Sequence, residues 1–301
     1  MTSREQFSLL QGRTFLEASE HFSQQGAAAT QFRDPAFAVV DGRRLACEQV
    51  CPPSPRGTIL LLVGLGAKRQ GWYKQLPAFG RAYRTIALDY RDVGDSDEAR
   101  EPYTIQDLAQ DTLAVMGALE IRRAHLIGIS MGGFIALELA LLAPQLVEKL
   151  VLVVTSAGGP GHISPRRDIM AVMMPAPGVE IGEAARKVCA AVSAPGFVQN
   201  HPEEFDIFAA IARYRPMSEA AYFRQLAACR GHDVSERLHE ITSPTLVIHG
   251  DVDPLVPLEN GLHLAHTIPG ARLLVYPQTG HIPEVERAEQ FTHDILTFLE
   301  R

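Results

Sequence analysis

Cysteine is scarce in this chain and is not clustered. Cys47, Cys51, Cys189 and Cys229 are the four in 301 residues. Cys47 and Cys51 stand four apart, but no second Cys or His pair completes a tetrahedral metal site, so reduced, packed thiols are expected instead. No apolar run approaches the ~18 residues that a membrane span needs. The first twenty residues, opening Met1-Thr2-Ser3-Arg4-Glu5-Gln6, hold no apolar stretch of the signal-peptide kind. A cytoplasmic protein with no membrane partner is the resulting expectation. Positive charge is also short. Lys and Arg number 28 against 35 Asp and Glu, a formal charge of −7 with no basic block, so a nucleic-acid partner is not expected. Internal repeats and low-complexity segments are absent.

What is present is an ordinary globular composition, 46% hydrophobic and 21% charged. A chain this long can bury roughly three-quarters of its unfolded surface. Residues 1–25 carry Phe7, Leu10, Phe15, Leu16 and Phe22 at loosely helical spacing and end at Gln24-Gln25-Gly26. They read as an N-terminal helical extension (1–34) that covers the core or a neighbouring subunit, which leaves a homodimer open. Phe37-Ala38-Val39-Val40 and Leu45-Ala46-Cys47 then flank Asp41-Gly42, a two-residue hairpin signal.

From residue 57 short apolar strands alternate with helical patterns. Strands are expected over 58–63, 85–88, 124–128, 149–154, 244–249 and 272–276, and helices over 104–119, 132–142, 258–267 and 284–299. Continuous apolar strands separated by amphipathic helices predict an α/β fold with a mostly parallel central sheet covered on both faces. One interval breaks the alternation. Some ninety residues between the fourth and fifth of these strands open with Gly158-Gly159-Pro160-Gly161 and carry only short helical runs over 180–192, 203–214 and 218–230. The predicted organisation is a first core part (35–155), a helical cap (156–240) inserted between two sheet strands, and a second core part (241–301).

The chemistry centres on Gly128-Ile129-Ser130-Met131-Gly132. Composition alone would produce such a pentapeptide in roughly one chain in twelve. Here, however, it joins a buried strand to a helix, where a serine on a sharp turn lifts its hydroxyl above the sheet and its flanks must be small. A serine nucleophile needs a base, and the base needs an acid. His249-Gly250-Asp251-Val252-Asp253-Pro254 follows one late strand, and Gln278-Thr279-Gly280-His281-Ile282-Pro283 follows the last. Both loops leave the carboxyl ends of strands, the edge on which Ser130 lies. His281 is the candidate base. Asp251 and Asp253 are both available as the acid; the spacing glycine, two residues, aspartate, proline favours Asp253, and Asp251 suits its own turn. His125 reads as structural, while His162, His201 and His232 fall in the cap, within reach of substrate at most.

From about residue 35 onward the chain resembles the α/β-hydrolase superfamily. The landmarks, in order, are Gly64-Leu65-Gly66 with Trp72, then Asp89 through Ser96, then the serine turn, then the Asp253 and His281 loops. Within the superfamily it is similar to small esterases, including methyl esterases that tailor aromatic polyketides, and to enol-lactone hydrolases. Val63-Gly64 stands where many members have His-Gly, which blurs the subfamily. The resemblance implies an oxyanion hole made of the Leu65 and Met131 backbone N–H groups, with Gly64 and Gly66 letting the loop pass close to substrate. Trp72 is either a substrate wall or a core residue. Asp89 through Ser96 is expected to form a structural turn.

The expected function is hydrolysis of a small, mostly apolar carboxylic ester through an acyl-enzyme on Ser130, with no metal or organic cofactor. Lactone opening, carbon–carbon hydrolysis and peracid formation use the same triad, and a ligand-binding member of the fold is the non-enzymatic rival. The expected cap carries Met170, Met173, Met174, Phe197, Phe205, Phe208, Tyr214, Met217, Tyr222 and Phe223, which predicts an apolar pocket. Arg166, Arg167, Arg213 and Arg215 are the cap candidates for a carboxylate clamp, with a solvated surface as the alternative.

Overall fold

The computed structural model describes residues 35–176 and 178–301. The helix expected over 1–25, and the extension to residue 34, lie outside the described residues. Strands run β1 (Ala36–Val40), β2 (Arg43–Val50), β3 (Thr58–Leu62), β4 (Arg84–Leu88), β5 (Ala124–Ile129), β6 (Val147–Val153), β7 (Thr245–Gly250) and β8 (Arg272–Tyr276). They form one sheet in the order β1-β2-β4-β3-β5-β6-β7-β8. The first pair is the expected hairpin: Asp41 and Gly42 have φ of 49° and 76°, positive at both central positions as a type I′ turn requires. β2 pairs antiparallel with β4, and every later pairing is parallel. The sheet is therefore mostly parallel, as the sequence predicts.

Helices are α1 (Gln75–Phe79), α2 (Ile105–Ala118), α3 (Met131–Leu142), α4 (Arg167–Met173), α5 (Ile181–Val192), α6 (Phe197–Asn200), α7 (Pro202–Arg213), α8 (Glu219–Arg230), α9 (Leu258–Thr267), α10 (Pro283–Glu286) and α11 (Ala288–Glu300). Every position of β5 and of β7 is buried, so helices cover both faces of the sheet there. The apolar core runs through Leu60, Leu61, Leu62, Ile127, Val151 and Val247. Truncating any of the leucines to Ala is expected to cost ~2–5 kcal/mol. Thr104 and Asp107 start α2 with a reciprocal capping box, which fixes where that helix begins.

One expected element is corrected. The helix predicted over 284–299 is two helices, broken at Arg287 (φ −131°, ψ 37°). Arg287 leaves the helical geometry and donates to Thr279 Oγ1 at 3.1 Å and to the Pro277 carbonyl at 2.9 Å, tying the break to the loop that carries His281. The short helices α1, α4 and α6 carry too few residues for a periodic signal.

Between β6 and β7 the chain leaves the sheet for α4–α8, and this insertion is stapled to the core by charge. Arg224 of α8 donates to both carboxylate oxygens of Asp92, at 2.9 and 2.8 Å, and to Glu98 at 2.9 Å. Tyr214 donates to Asp95, and Lys74 meets Glu204 of α7 at 2.5 Å. Asp89 accepts the backbone N–H of Arg69 at 2.7 Å and pairs with its buried guanidinium. The 89–96 segment thus serves as a structural turn that also receives the insertion. Among the described residues no helix is long and apolar enough to cross a membrane.

Candidate active site

Strand β5 ends at Ile129 and α3 begins at Met131, which leaves Ser130 alone to make the turn. It does so at φ 54°, ψ −120°, a conformation that costs a non-glycine residue ~1–3 kcal/mol. Several bonds over-determine it: Ser130 N–H donates to the Val153 carbonyl at 3.0 Å, and Thr155 Oγ1 donates to the Ser130 carbonyl at 2.8 Å. The glycines on either side are steric requirements. A Cβ on Gly128 would lie 2.3 Å from the Gly132 carbonyl oxygen, and one on Gly132 would lie 2.2 Å from the Leu62 carbonyl oxygen. Ser130 itself remains half-buried, open enough to be reached.

Asp253 and His281 leave the same edge of the sheet, after β7 and β8. His281 Nδ1 donates to Asp253 Oδ2 at 2.8 Å, and both side chains are buried. Asp253 Oδ1 takes the N–H groups of Leu255 and Val256, each at 2.9 Å, which locks the carboxylate. Asp251 is exposed, with Oδ1 3.4 Å from the Thr279 N–H; the aspartate that meets His281 is Asp253. Burial pushes the His281 imidazole down, but the charge and hydrogen bond of Asp253 outweigh that and hold it above the ordinary histidine value. With Nδ1 bound to Asp253, Nε2 is the nitrogen left to exchange a proton.

The segment after β3 lies beside the serine: a Cβ built on Gly64 would sit 3.4 Å from Ser130 Cβ. Met131 opens α3, where first-turn N–H groups have no partner within the helix, and Leu65 follows Gly64 in the loop. Neither of these two N–H groups is hydrogen-bonded among the described residues. Trp72 is 1% exposed and packed in the main core, which favours its core alternative. His125 is buried in β5 against Tyr83, and His232 is buried and stacked on Phe134 with ring centroids 4.6 Å apart. His162 Nδ1 is 3.0 Å from Ser156 Oγ, and His201 is exposed.

Three supports of this site carry no local signal in the sequence. Glu286 folds its carboxylate back onto the N–H groups of Gly280 (3.0 Å) and Ala194 (3.0 Å), tying the loop of His281 to the insertion. His249, the last histidine before Asp253, donates from Nε2 to the Val256 carbonyl at 2.8 Å and stands 3.7 Å from Asp253 Oδ2. Burial lowers its basicity, so it braces the Asp253 turn as a neutral ring. Gln225 reaches from α8 to accept the N–H of Gly66 at 2.9 Å. Among the described residues no group of three or more His, Cys, Asp and Glu could hold a metal ion.

Comparison with known proteins follows the same outline. Residues 59–294 match the family described as "Alpha/beta hydrolase family". A putative carbamate hydrolase of Agrobacterium fabrum is 29% identical over 245 residues, covering 80% of this chain and 92% of the relative. A 2-hydroxy-6-oxononadienedioate/2-hydroxy-6-oxononatrienedioate hydrolase of Burkholderia vietnamiensis is 32% identical over 287 residues, covering 87% and 94%. Among solved structures, the enol-lactonase of Burkholderia xenovorans superposes with a TM-score of 0.77 at 26% identity, covering 88% of this chain and 100% of the other.

Proposed function

The chain belongs to the alpha/beta hydrolase family, and we propose that within it this enzyme is a serine hydrolase that cleaves a small, uncharged, mostly apolar carboxylic ester. The observation that carries the reading is the buried His281 Nδ1–Asp253 Oδ2 hydrogen bond of 2.8 Å on the sheet edge where Ser130 is held at positive φ. Ser130 Oγ attacks the ester carbonyl while His281 Nε2 takes its proton. Asp253 keeps the proton on Nδ1 and stabilises the imidazolium. The oxygen that becomes negative is received by the N–H groups of Leu65 and Met131. Collapse of the tetrahedral intermediate breaks the carbon–oxygen bond, and His281 protonates the departing alcohol. Water, deprotonated by His281, then attacks the acyl-enzyme and releases the acid and the free serine.

The preference for an uncharged substrate rests on the insertion's cations. Arg213 is bound to Glu180 at 2.7 and 2.8 Å, Arg166 to Asp168, Arg215 to Asp95 and Arg224 to Asp92. Arg167 is exposed. A dioate such as the Burkholderia vietnamiensis relative is named for would need a free cation, and these five arginines are paired with carboxylates or exposed. Met170, Met173, Phe208, Met217 and Tyr222 are half-buried and favour apolar substituents. The solved enol-lactonase supports ester chemistry directly, since a lactone is a cyclic ester.

The test is turnover of p-nitrophenyl acetate and butyrate, with lactones alongside, by the wild type and by Ser130→Ala. Near-complete loss of ester turnover in the variant is expected. Activity persisting above roughly a tenth of wild type would remove Ser130 from the mechanism, because the nucleophile and base act as one unit. Lactone turnover far above that of open-chain esters would move the substrate class to lactones.

A further inference from the structure

The loop after β3 depends on the helical insertion for its shape. Its turn closes where Ala67 N–H meets the Gly64 carbonyl at 3.2 Å, with Gly66 at φ 66°. The Leu65–Gly66 peptide is therefore the central peptide of a β-turn, the unit that flips between turn types. One side chain holds it: Gly66 N–H donates to Gln225 Oε1 at 2.9 Å. Gln225 belongs to α8, is 159 residues away in the chain, and is 0% exposed. Because the N–H needs an acceptor, the oxygen of the amide faces Gly66, and Nε2 is left buried without a partner. An orphaned buried donor is a destabilising cost that Met or Leu at this position would avoid, although either would leave the Gly66 N–H without its acceptor. The contact with Gly66 is what the glutamine adds. Tyr222 and Met217 approach the same glycine, within 3.8 and 3.9 Å of a Cβ built on it. Two residues further on, buried Lys68 donates from Nζ to the Ile211 carbonyl at 3.0 Å, near the end of α7.

We propose that Gln225 is a positioning residue for the oxyanion hole: by holding the Gly66 N–H it pins the Gly64–Ala67 turn, whose preceding Gly64–Leu65 peptide carries the Leu65 N–H, and it makes transition-state stabilisation conditional on the insertion being seated. The inference rests on the reading of Ser130 as nucleophile and Leu65 as donor. Negative charge on the acyl oxygen develops only as the tetrahedral species forms, so the effect belongs to kcat and not to substrate binding. Removing an oxyanion donor outright costs ~10²–10³ in rate. Loosening one donor is expected to cost ~10-fold to 10²-fold.

The experiment compares wild type, Gln225→Met and Gln225→Glu in three measurements. These are p-nitrophenyl butyrate kinetics, inhibition by an alkyl boronic acid that forms a tetrahedral adduct on the serine, and thermal melting. Gln225→Met exchanges one unpartnered N–H, Nε2, for another, that of Gly66, so it is expected to melt close to wild type. Its KM should stay within about twofold, while kcat falls ~10-fold to 10²-fold and boronate affinity weakens by the same factor. Gln225→Glu keeps an acceptor oxygen and should recover most of kcat. Wild-type kcat and boronate affinity in Gln225→Met would overturn the proposal, as would a loss of kcat that only follows the folded fraction. A wild-type enzyme whose Ser130 resists a fluorophosphonate would instead overturn the underlying reading of the site.

Discussion

Glu284 offers a sharp test of how burial acts on this structure, because it is a carboxyl enclosed by protein with no cation paired to it. It lies three residues after His281 in α10, is buried, and its Oε2 has no hydrogen-bond partner. Its backbone carbonyl accepts Gln75 Nε2 at 2.7 Å, which holds the segment in place. Removal from water raises its pKa from 4.5 to about 8; its own backbone N–H and the nearby His281 oppose the rise, and Glu286 adds to it. Between those two pH values the unfolded chain has given up a proton that the native state retains. Native stability therefore falls as pH rises through the window, by ~1.4 kcal/mol per pH unit and roughly 5 kcal/mol in all. Glu284→Gln cannot titrate. Its amide adds a cost or gain that does not depend on pH, so the difference between variant and wild type isolates the carboxyl. Urea unfolding of both proteins at intervals from pH 4.5 to 8.5 should show the variant gaining steadily on wild type, by about 3 kcal/mol between pH 4.5 and 7, then levelling off above pH 8. A difference that stays flat over this range would refute the reasoning, since it would mean the carboxyl ionises in the native state as it does in water.

Two further outcomes follow from the geometry. Gly132→Ala should lose ~3 kcal/mol or more and at least ~10²-fold in activity, because its Cβ would meet backbone atoms of Leu62 and Val63 that cannot move without shifting β3 and the Leu65 loop; Gly117→Ala in α2, with open space at its Cβ, should gain a few tenths to ~1 kcal/mol, and equal effects in chemical denaturation would contradict the steric account. Asp253 is what lifts His281 against burial, so Asp253→Asn should lower kcat by at least ~10²-fold and move the acid limb of kcat/KM to lower pH; an unmoved limb in the pH–rate profile would disconnect the two residues.

The parts of this protein that were legible in its sequence are those set by local physics. Strand and helix positions follow from apolar periodicity, so β3, β5, β8 and α9 fall where the pattern puts them. The hairpin is written in Asp41-Gly42, because few other residue pairs accept two positive φ angles cheaply. Ser130 was readable for a similar reason: a serine between a buried strand and a helix, with glycine on both sides, has a local steric signature. Asp253 and His281 were readable as loops at strand ends, with the spacing before Pro254 favouring Asp253 over Asp251, and the hydrogen bond to His281 falls on Asp253.

Tertiary structure alone decided what depends on contacts between distant segments. Gln225 meets Gly66 across 159 residues, and Glu286 meets Ala194 across 92. Arg215, a candidate clamp in the sequence, and Arg224 become staples only when the insertion packs on the core, while Arg213 is taken up by Glu180 within the insertion. The break that divides α10 from α11 follows from where Arg287 finds acceptors, outside its own helix. No periodicity encodes such contacts. A polar side chain acquires a role when burial deprives it of water and leaves one partner within reach, and which partner that is depends on how the sheet and the insertion are brought together.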